Sequence, residues 1–443
     1  MKLFGHYRLT TFQIISAGFI LFILLGTGLL MLPFASAAPG SASFSDCLFT
    51  ATSAVCVTGL IVRDTATCWT PFGQAVILLL IQIGGMGVVT VAVMMSFLSG
   101  KKIGLMQRST MQEAISAPQV GGIVRLTRFI VATAACIELI GAVLLYPVFL
   151  GQVGPLKGIW YAFFHSISAF CNAGFDLMGA KEPFSSMTHL SQSVLGNIAL
   201  ILLITVGGIG FLTWNDVKEH KYHWKKYRMQ SKIILITSGV LVLLPALCFY
   251  FFEMKNLSAG QRILPALFQS VTLRTAGFNS VDLNSFSGSG KAVMILWMLV
   301  GGSPGSTAGG MKTTTVAVLL LTARTVFRRR ENVECFGRRI GDETVRSAVT
   351  ILLMYGNLFF LGGLVISRVE GLPFLDCLFE TASALGTVGV TLGITSKVGL
   401  LSRGILIALM FLGRVGGLTF IYAAQTGPKV NRSALPQEKI TVG

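Results

Sequence analysis

Four glycines, each closing a short run of small residues, are the positions at which this sequence is best suited to bind a cation. Gly59, Gly174, Gly277 and Gly389 lie in the related segments FTATSAVCVTGL (49–60), FHSISAFCNAGF (164–175), FQSVTLRTAGF (268–278) and FETASALGTVGV (379–390). Glycine accepts backbone angles that a side chain forbids, so the carbonyl groups of such loops can turn inward. Because a ring of carbonyl oxygens can replace the hydration shell of a monovalent cation, the four loops predict an ion site.

Each loop contributes its glycine and the three preceding residues to this predicted selectivity filter. The predicted ion-binding residues are Cys56, Val57, Thr58, Gly59, Cys171, Asn172, Ala173, Gly174, Arg274, Thr275, Ala276, Gly277, Gly386, Thr387, Val388 and Gly389. Ser53, Ser168 and Ser383 stand six residues before their glycines, and Val271 departs from this column. The apolar half-helix before each loop would direct its partially negative C-terminal end at the site, which favours a cation. Glycines that serve only helix packing are the alternative, but packing alone does not explain four aligned copies.

A second glycine-rich stretch, VGGSPGSTAGGMKTTT (300–315), interrupts an apolar helix that follows the third loop. Proline, glycine and hydroxyl residues in this density cannot form a stable lipid-facing helix, so the segment must line a buried polar path. We expect it to cross the conduction path just inside the filter as a gate; a simple kink is the alternative. The predicted gate residues are Gly301, Gly302, Ser303, Pro304, Gly305, Ser306, Thr307, Ala308, Gly309, Gly310, Lys312 and Arg414.

Two cations of this gate lie within apolar sequence. Lys312 is at the edge of the loop, and Arg414 is in the glycine-rich segment GRVGG (413–417) after the fourth filter loop. Intramembrane cations usually face the protein interior and are paired, so both could form a barrier to cations or hold the gate. Snorkelling, or structural pairing with Glu138 for instance, is the alternative.

The composition is that of a membrane protein. The chain has 443 residues, of which 53% are hydrophobic and 12% charged, and it carries a net charge of +17. About eight apolar runs approach the roughly 20 residues that a membrane-spanning helix needs. This excludes a disordered or nucleic-acid-binding chain. The eight cysteines form no CxxC pair, so they are interpreted as mostly buried small residues. The five histidines offer no metal-ligand spacing within the apolar runs, which argues against an intramembrane enzyme. A purely structural subunit would leave the four loops unexplained.

These elements predict an all-α integral membrane protein. Four tandem helix–pore-loop–helix (M1-P-M2) units would surround a pseudo-fourfold pore, with eight transmembrane helices and four re-entrant pore helices. The predicted units are 1–100, 101–222, 223–335 with a broken second helix and the gate loop 301–314, and 336–427, followed by a cytoplasmic tail, 428–443. The predicted first helices are 12–32, 129–150, 232–252 and 348–366. The predicted second helices are 72–98, 194–214, a stretch opening at Ala292, and 404–424.

The distribution of charge predicts the orientation. The predicted inner segments hold 23 of the 35 Lys and Arg residues but only 8 of the 18 acids. Basic inner segments are the usual topogenic signal, so both termini are expected in the cytoplasm and the four loops open outward. A signal-peptidase site at 35–37 is an alternative for the N-terminus, but the apolar run before it is longer than the usual 7–15 residues.

Six other polar residues receive interpretations from their positions. Asp46, Asp64, Asp376 and Glu380 would lie near the outer mouth, where they could concentrate cations or form a solvated rim. Glu138 is interpreted as a structural partner and His165 as a packed residue of the second half-helix.

The four ordered loops, the segment GGSPGSTAGGMKTTT (301–315) and GRVGGLTF (413–420) resemble the Trk/Ktr/HKT superfamily of potassium transporters over essentially the whole chain. The short chain is most similar to the bacterial Ktr-type membrane subunits, the KtrB or NtpJ-like group. The resemblance implies potassium uptake across the bacterial plasma membrane, often with Na⁺ as an activator, and no covalent cofactor. A coupled K⁺/Na⁺ or K⁺/H⁺ symporter is the alternative.

The resemblance also implies partners and residue roles. It implies a homodimer in contact with membrane lipid, docked on a cytosolic ring of RCK-domain subunits (KtrA/KtrC-like) that bind ATP or ADP, and no nucleic acid. Gly59 at the first filter position is associated with potassium preference. Cys56 and Cys171 depart from the small hydroxyl or amide residues common at their positions, which leaves fine selectivity open.

Overall fold

The computed structural model describes residues 10–38, 40–91, 104–115 and 121–416. The predicted tail, 428–443, and the two chain termini lie outside these residues, so their predicted cytoplasmic position is not tested by the fold. The last residues of the predicted helices 72–98 and 404–424 also fall outside them.

The first predicted unit consists of three mutually packed helices and a short connector. They are α1 (Thr11–Leu30), α2 (Phe44–Val55), α3 (Thr65–Cys68) and α4 (Pro71–Met86). Side-chain caps fix where α1 and α2 begin, because Thr10 with Gln13 and Ser43 with Asp46 form capping boxes that satisfy the free N–H groups of the first turn. Helix α4 begins with a proline at its first position and ends at Gly87, whose φ is 85°. The predicted continuous helix 72–98 is therefore wrong, since it is broken at this glycine, after which residues 88–91 are helical again.

The second predicted unit repeats the arrangement after an additional helix. Its helices are α5 (Leu105–Ile115), α6 (Ile123–Val153), α7 (Pro155–Phe170), α8 (Val194–Ile209) and α9 (Phe211–His220). Helices α8 and α9 meet at 96° around Gly210, which has a φ of 101°. The prediction of one straight helix over 194–214 is therefore wrong, because the left-handed glycine turns the chain sharply.

The third predicted unit has the longest interruption. Its helices are α10 (Met229–Cys248), extended by a π-helical turn (Phe249–Glu253), α11 (Ala259–Thr272), α12 (Gly288–Met298) and α13 (Thr313–Phe327). The segment between α12 and α13 is an ordered loop, in which Val300 and Met311 form an isolated parallel bridge. A helix broken by the predicted gate segment is thus present, and a smooth kink is excluded.

The fourth predicted unit follows a basic connector. A small hairpin, β1 (Glu334–Cys335) and β2 (Arg338–Arg339), precedes α14 (Asp342–Glu370), α15 (Phe374–Gly386) and α16 (Leu400–Val415). The hairpin makes the fold predominantly helical rather than purely α. Helix α16 ends at Gly416, whose φ is 89°, so this helix also stops at a left-handed glycine.

Four helices of the described residues are long and apolar enough to cross a membrane. They are α1, α6, α10 with its π-helical turn, and α14, and the bent pair α8–α9 raises the number to five if it forms one span. Helices α4 and α13 are shorter apolar helices. The four long helices are the predicted first helices of the four units. The predicted second helices are all shorter or interrupted, and a glycine lies at each interruption.

Contacts between the units run in a cycle. Within a unit, the first helix packs on the short helix before the loop, as α1 packs on α2 and α14 on α15. Between units, α4 contacts α7, α8 contacts α11, α12 contacts α15, and α16 contacts α2. The second helix of each unit therefore packs against the short helix of the next, and the fourth unit returns to the first.

The cysteines are only partly buried. All eight are free, and Cys47, Cys56, Cys171 and Cys377 are buried, whereas Cys136 is exposed and the others are half-buried. Desolvation raises the pKa of the Cys68 and Cys335 thiols in the connectors, so both stay protonated at neutral pH. The interpretation as mostly buried small residues is confirmed for the four buried cysteines, and Cys136, which is exposed on α6, is the exception.

Candidate functional site

The four loop glycines lie side by side in a closed ring. A Cβ atom built on Gly59 would lie 3.0 Å from Cα of Gly174, and one built on Gly174 would lie 2.8 Å from Cα of Gly277. The corresponding distances are 3.4 Å from Gly277 to Gly389 and 3.0 Å from Gly389 back to Gly59. The ring has no room for a side chain at these positions, because each added Cβ atom would collide with the backbone of its neighbour.

Each loop contains a second left-handed residue, two positions before its glycine. These residues are Val57, Asn172, Thr275 and Thr387, with φ between 51° and 63°. The glycines have φ between 69° and 95°. Positive φ at alternate residues rotates the intervening peptide units, which lets consecutive carbonyl groups face one side. A left-handed β-branched residue is a rare and costly conformation, of the kind that collects at functional sites.

In the first and fourth loops, a buried serine fixes the ring glycine. Ser53 Oγ accepts a hydrogen bond from the N–H of Gly59 at 3.1 Å, and Ser383 Oγ accepts one from Gly389 at 3.0 Å. Removal of either hydroxyl would leave a buried N–H without a partner, which costs about 1–3 kcal/mol. Ser53 and Ser383, which stand six residues before their glycines in the sequence, therefore stabilise the ring.

In the second and third loops, the hydroxyl holds the residue after the glycine. Ser168 Oγ donates to the carbonyl of Phe175 at 2.7 Å, and Thr272 Oγ1 donates to that of Phe278 at 2.7 Å. Thr272, and not Val271, is thus the equivalent of the serines. The third half-helix ends one residue earlier, since the N–H before Gly277 bonds four residues back instead of five. The one-residue deletion in the segment 268–278 is the sequence signal that could have identified Thr272.

Glycines of the second helices allow those helices to touch the ends of the half-helices. The distances from a Cβ built on the glycine to the carbonyl oxygen are 2.1 Å for Gly84 and Val55, 2.0 Å for Gly207 and Phe170, and 2.1 Å for Gly413 and Leu385. These glycines open the motifs GGMG, GGIG and GRVGG. Arg414 therefore occupies the position that Gly85 and Gly208 hold in the first two copies.

The first residues of the four loops differ chemically. Cys56, Cys171 and Gly386 are small, whereas Arg274 is a buried cation. The Arg274 guanidinium Nη2 donates to Ser238 Oγ on α10 at 3.1 Å. This side chain is therefore bound to the first helix of its own unit, and its backbone carbonyl is the atom left for the loop.

The predicted gate loop lies directly beside the ring. A Cβ on Gly309 would lie 2.1 Å from Thr387 Oγ1, and one on Gly310 would lie 2.8 Å from the carbonyl oxygen of Gly386. On its other side, a Cβ on Gly305 would lie 2.4 Å from the carbonyl oxygen of Ile115 at the end of α5. The glycines of the loop thus permit close backbone approach on both sides.

Backbone hydrogen bonds fasten the loop to the interrupted helices of two other units. Ser303 N–H donates to Gly208 O at 3.0 Å, and Phe211 N–H donates to Gly305 O at 2.7 Å. Gly310 N–H donates to Gly413 O at 3.2 Å. The breaks at Gly210 and at the end of α16 therefore supply backbone groups that a continuous helix would have used internally.

Arg414 joins the gate loop to the first unit. Its guanidinium donates to the carbonyls of Thr307, Gly84 and Gly85. Lys312 Nζ donates to the carbonyl oxygen of Ala308 at 2.8 Å and to that of Gly309 at 3.4 Å, so it braces the loop from within. Snorkelling does not describe either side chain, because both are bound to buried backbone.

Glu138 is a partner of neither cation. Its carboxylate accepts from Gln82 Nε2 at 3.0 and 3.2 Å, and the thiol of Cys171 lies 4.0 Å from its Oε1. In the described ranges, no basic side chain lies within 4.0 Å of this carboxylate. The alternative of structural pairing with Lys312 or Arg414 is therefore wrong, and the structural partner of Glu138 is Gln82 instead.

Three of the four acids assigned to the outer mouth are used inside the protein. Asp46 accepts from Arg63 at 3.1 Å and from Arg403 at 2.8 Å, and it is only 3% exposed. Asp64 caps α3 and accepts from the Phe184 N–H. A solvated rim is therefore the wrong description of these two carboxylates.

Glu380 and His165 are also buried. Glu380 accepts hydrogen bonds from the hydroxyls of Thr391 and Thr395 and from the N–H of Leu392. His165 stacks on Phe149 with ring centroids 4.7 Å apart, as expected for a packed residue.

A cavity of about 700 Å³ opens on the side of the ring away from the gate loop. It is lined by parts of 182–188, 279–284 and 391–397, together with Ile61. Ile61, Asn279 and Thr391 each stand two residues after a ring glycine. The ring thus has an open cavity on one side and the ordered loop 301–310 on the other.

One group of potential metal ligands occurs in the described residues, away from the ring. Asp216, Glu219 and His220 bring their ligand atoms within 4.8 Å of one another. Asp216 already accepts from Ser231 Oγ at 2.6 Å and pairs with Arg228 at 3.3 Å. This carboxylate therefore serves the turn between α9 and α10.

Comparison with known proteins finds relatives that align with nearly the whole chain. The family profile described as "TrkH: Cation transport protein" matches residues 6–433. The potassium/sodium uptake protein NtpJ of Enterococcus hirae is 37% identical and is aligned over 100% of this chain and 99% of its own. The Ktr system potassium uptake protein B of Bacillus subtilis is 37% identical, with 95% and 94% covered.

A solved structure shares the fold. The potassium transporter TrkH from Vibrio parahaemolyticus superposes with a TM-score of 0.74 at 20% identity, covering 95% of this chain and 86% of that one. These relatives are cation transporters and not enzymes. The chain belongs to the TrkH family of cation transport proteins.

Proposed function

We propose that this protein takes up potassium across the bacterial plasma membrane through the ring of the four loops. The observation that carries the proposal is the closed cycle of Gly59, Gly174, Gly277 and Gly389, with a second left-handed residue repeated in each loop. Such loops offer backbone carbonyls and no titratable catalyst, which suits selection of a monovalent cation. The names of the relatives, a potassium/sodium uptake protein and Ktr system potassium uptake proteins, agree with this substrate.

The filter in this proposal consists of residues 56–59, 171–174, 274–277 and 386–389. Carbonyl oxygens do the binding, so the thiols of Cys56 and Cys171 and the guanidinium of Arg274 need not contact the ion. The Cys171 thiol lies 3.5 Å from Gln82 Oε1, and the Arg274 side chain reaches Ser238, which supports a backbone role for both residues.

The gate consists of residues 301–314, held by Lys312 and Arg414. The loop contacts the ring at Gly309 and Gly310 on the side opposite the open cavity. A cation that leaves the ring on this side must pass the loop. We therefore infer that the loop has to move for conduction, and that the structure represents a closed arrangement.

The architecture in this proposal is four M1-P-M2 units around the ring, with eight spans of which the second helices are interrupted. The cyclic contacts α4–α7, α8–α11, α12–α15 and α16–α2 support a pseudo-fourfold arrangement. The excess of Lys and Arg on the side of the gate loop supports a cytoplasmic position of the loop and of both termini.

Regulation and assembly follow from the relationship to the Ktr systems. We propose a homodimer in the lipid membrane, docked on a cytosolic RCK-domain ring of KtrA or KtrC type that binds ATP or ADP, with Na⁺ as an activator. The description of two relatives as proteins B and D of a Ktr system supports further components. The helix α5 beside Gly305 offers a route by which such a partner can reach the gate.

Coupled K⁺/Na⁺ or K⁺/H⁺ symport is the second candidate, and one observation favours it. Glu138 is only 6% exposed, and its carboxylate has an amide and a thiol as neighbours but no cation among the described side chains. Ionisable groups of this kind inside membranes are usually functional. Symport predicts that a sodium or proton gradient alone drives potassium against its own gradient.

Uptake of radioactive rubidium into proteoliposomes that contain only this chain tests the proposal. Uptake that K⁺ inhibits, with a sodium dependence that does not require a sodium gradient, supports a sodium-activated channel-like transporter. Accumulation driven by a gradient supports symport. A folded, dimeric protein that neither binds nor transports K⁺, alone or with its cytosolic partner, would overturn the proposal.

A further inference from the structure

One hydroxyl connects the gate loop to the second filter loop. Thr307 Oγ1 lies 3.0 Å from Asn172 Oδ1 and 3.1 Å from the carbonyl oxygen of Phe170. All three residues are fully buried. The hydroxyl proton is therefore shared between a filter side chain and the last carbonyl of the second half-helix.

The second helix of the second unit makes room for this contact. A Cβ built on Gly207 would lie 2.0 Å from Phe170 O, 2.8 Å from Asn172 Oδ1 and 2.9 Å from Thr307 Oγ1. Thr307 N–H also donates to Gly207 O at 3.3 Å. The absence of a side chain at Gly207 is thus what allows the three oxygen atoms to meet.

Asn172 passes the contact on to the third loop. Its Nδ2 donates to the carbonyl oxygen of Arg274 at 3.3 Å, and its backbone has the left-handed φ of 58°. The equivalent residues of the other loops are Val57, which is apolar, and Thr275 and Thr387, whose buried hydroxyls have no hydrogen-bond partner among the described residues. The second loop is therefore the loop whose left-handed side chain is hydrogen-bonded both to the gate and to a neighbouring loop.

We propose that Thr307 is a positioning residue for ion selection, acting through Asn172, so that the gate loop sets the geometry of the filter as well as closing the path. This inference rests on the proposed function, because it takes the four loops as the filter. In the closed arrangement the Thr307 hydroxyl holds Asn172 against the Arg274 carbonyl. When the loop moves, Asn172 loses this partner and the second and third loops are free to change their spacing.

The consequence is a link between gating and selectivity. Carbonyl-based selection between K⁺ and Na⁺ depends on the number and placement of the carbonyl groups. A filter that loses the bond between its second and third loops therefore discriminates less well between the two ions. A gate that acted only as a plug would leave the ratio of the two affinities unchanged.

Equilibrium binding of K⁺ and of Na⁺ to the purified full chain, measured by calorimetry, tests the proposal without requiring an open gate. Thr307→Val removes the hydroxyl with little change in shape. We expect the ratio of the Na⁺ and K⁺ dissociation constants to fall by about fivefold, the equivalent of about 1 kcal/mol for one hydrogen bond. Thr307→Ser keeps the hydroxyl and should restore the original ratio.

Thr27→Val is the matched control. Thr27 is also a buried threonine, but its hydroxyl donates to the carbonyl oxygen of Ile23 at 2.8 Å within α1, outside the filter and the gate. It should leave the ratio unchanged. An unchanged ratio in Thr307→Val, or an equal change in Thr27→Val, would overturn the proposal.

The variant Gly59→Ser distinguishes a failure of this inference from a failure of the filter assignment. If Gly59→Ser changes the ratio and Thr307→Val does not, the four loops select the ion without help from the gate loop. If neither variant changes it, the filter assignment fails and the inference fails with it.

Discussion

Single residues in the ring adopt a backbone conformation that their side chains disfavour. A valine or threonine with positive φ is held only where the surrounding structure fixes it, at a cost of about 1–3 kcal/mol each. Val57, Thr275 and Thr387 are at most 1% exposed, so tight packing supplies this restraint. The ring glycines have the complementary task of allowing the loops to touch.

Gly59→Ser should reduce the preference for K⁺ over Na⁺. The new Cβ would lie 2.5 Å from the carbonyl oxygen of Ala173, and the residue would have to keep a φ of 89°, so the first and second loops must separate. We expect about a tenfold loss in the ratio of uptake rates, measured in proteoliposomes, which corresponds to about 1.4 kcal/mol.

Gly28→Ser provides the control for this substitution. A Cβ at Gly28 would have no heavy atom within 4 Å, so the same change should leave selectivity intact. Unaltered selectivity in Gly59→Ser would contradict the assignment of the first loop to the filter.

Arg414→Gln should raise the basal flux of ions. The variant loses the guanidinium that bridges Thr307 to the first unit, and an amide cannot reach three carbonyls. We expect an increase of several-fold, and a smaller one for Arg414→Lys, in rubidium uptake without a partner. Arg338→Gln in the exposed hairpin should behave like the unchanged protein. A decrease in a stably folded Arg414→Gln would instead indicate that the charge helps ions to pass.

At the scale of elements, the second helices of all four units are interrupted or shortened, not only that of the third unit. Helices α4, α8 and α16 each end at a left-handed glycine. The ends of α8 and α16 expose backbone groups that bind the gate loop, whereas the Gly84 and Gly85 carbonyls of α4 accept from Arg414. The loop is thus an ordered element with its own hydrogen-bond partners. It is neither a flexible linker nor a kinked helix.

Deletion of several residues within 303–309 should increase basal uptake strongly if the loop is the barrier. The deletion removes the contacts to Gly208, Phe211 and Asn172 together, while the ring retains its serine and threonine supports. Rubidium uptake measures the effect, and K⁺ binding by calorimetry checks that the ring is intact. Reduced uptake with preserved K⁺ binding would show that the loop is a brace.

The sequence predicted the positions of the elements better than their breaks. Repeated glycines and long apolar runs located the four loops, the four first helices and the interruption, which was predicted at 300–315 and lies at 299–312. Each glycine in an apolar run costs a helix only about 1 kcal/mol, so Gly87 and Gly210 gave no decisive signal. Tertiary contacts decide whether the helix breaks at these glycines. At Gly210, for example, the turn frees the N–H of Phe211, and the carbonyl of Gly305 accepts it.

Hydrogen bonds and ion pairs between residues far apart in sequence could not be predicted, because they too depend on tertiary contacts. Arg414 binds carbonyls of the first and third units, and Asp46 binds Arg403 of the fourth. No local pattern encodes such a pairing, since it depends on how the units close. The four loops were predictable because the repeat itself marks them, whereas the Thr307–Asn172 contact was not.

At the scale of the whole molecule, the fourth unit must meet the first for the ring to close. Helix α16 packs on α2, a Cβ on Gly389 would lie 2.1 Å from Thr58 O, and Arg403 pairs with Asp46. The ion pair lies at this junction and is largely buried, with side-chain exposures of 18% for Arg403 and 4% for Asp46.

Asp46→Ala should therefore lower the melting temperature of the purified protein. The substitution leaves two arginines without their acceptor, which we expect to cost about 2 kcal/mol. Asp376→Ala is the internal control, because this aspartate occupies the same place in the repeated Asp-Cys-Leu-Phe of the fourth unit and forms no ion pair with the described residues. Equal melting temperatures for the two variants would show that the junction does not depend on this pair.

The cyclic packing of the four units also determines when, during synthesis and membrane insertion, folding can be completed. Ribosomes deliver the first unit before the last, yet one side of α2 packs against α16, the final helix of the described chain. Until α16 arrives, the loop backbone of the first unit lacks its neighbour from the fourth unit, and hydrocarbon penalises exposed polar backbone heavily. The nascent chain can therefore reach its native state only after the C-terminal quarter has inserted. Before that step, its exposed polar backbone is what membrane quality-control proteases would recognise.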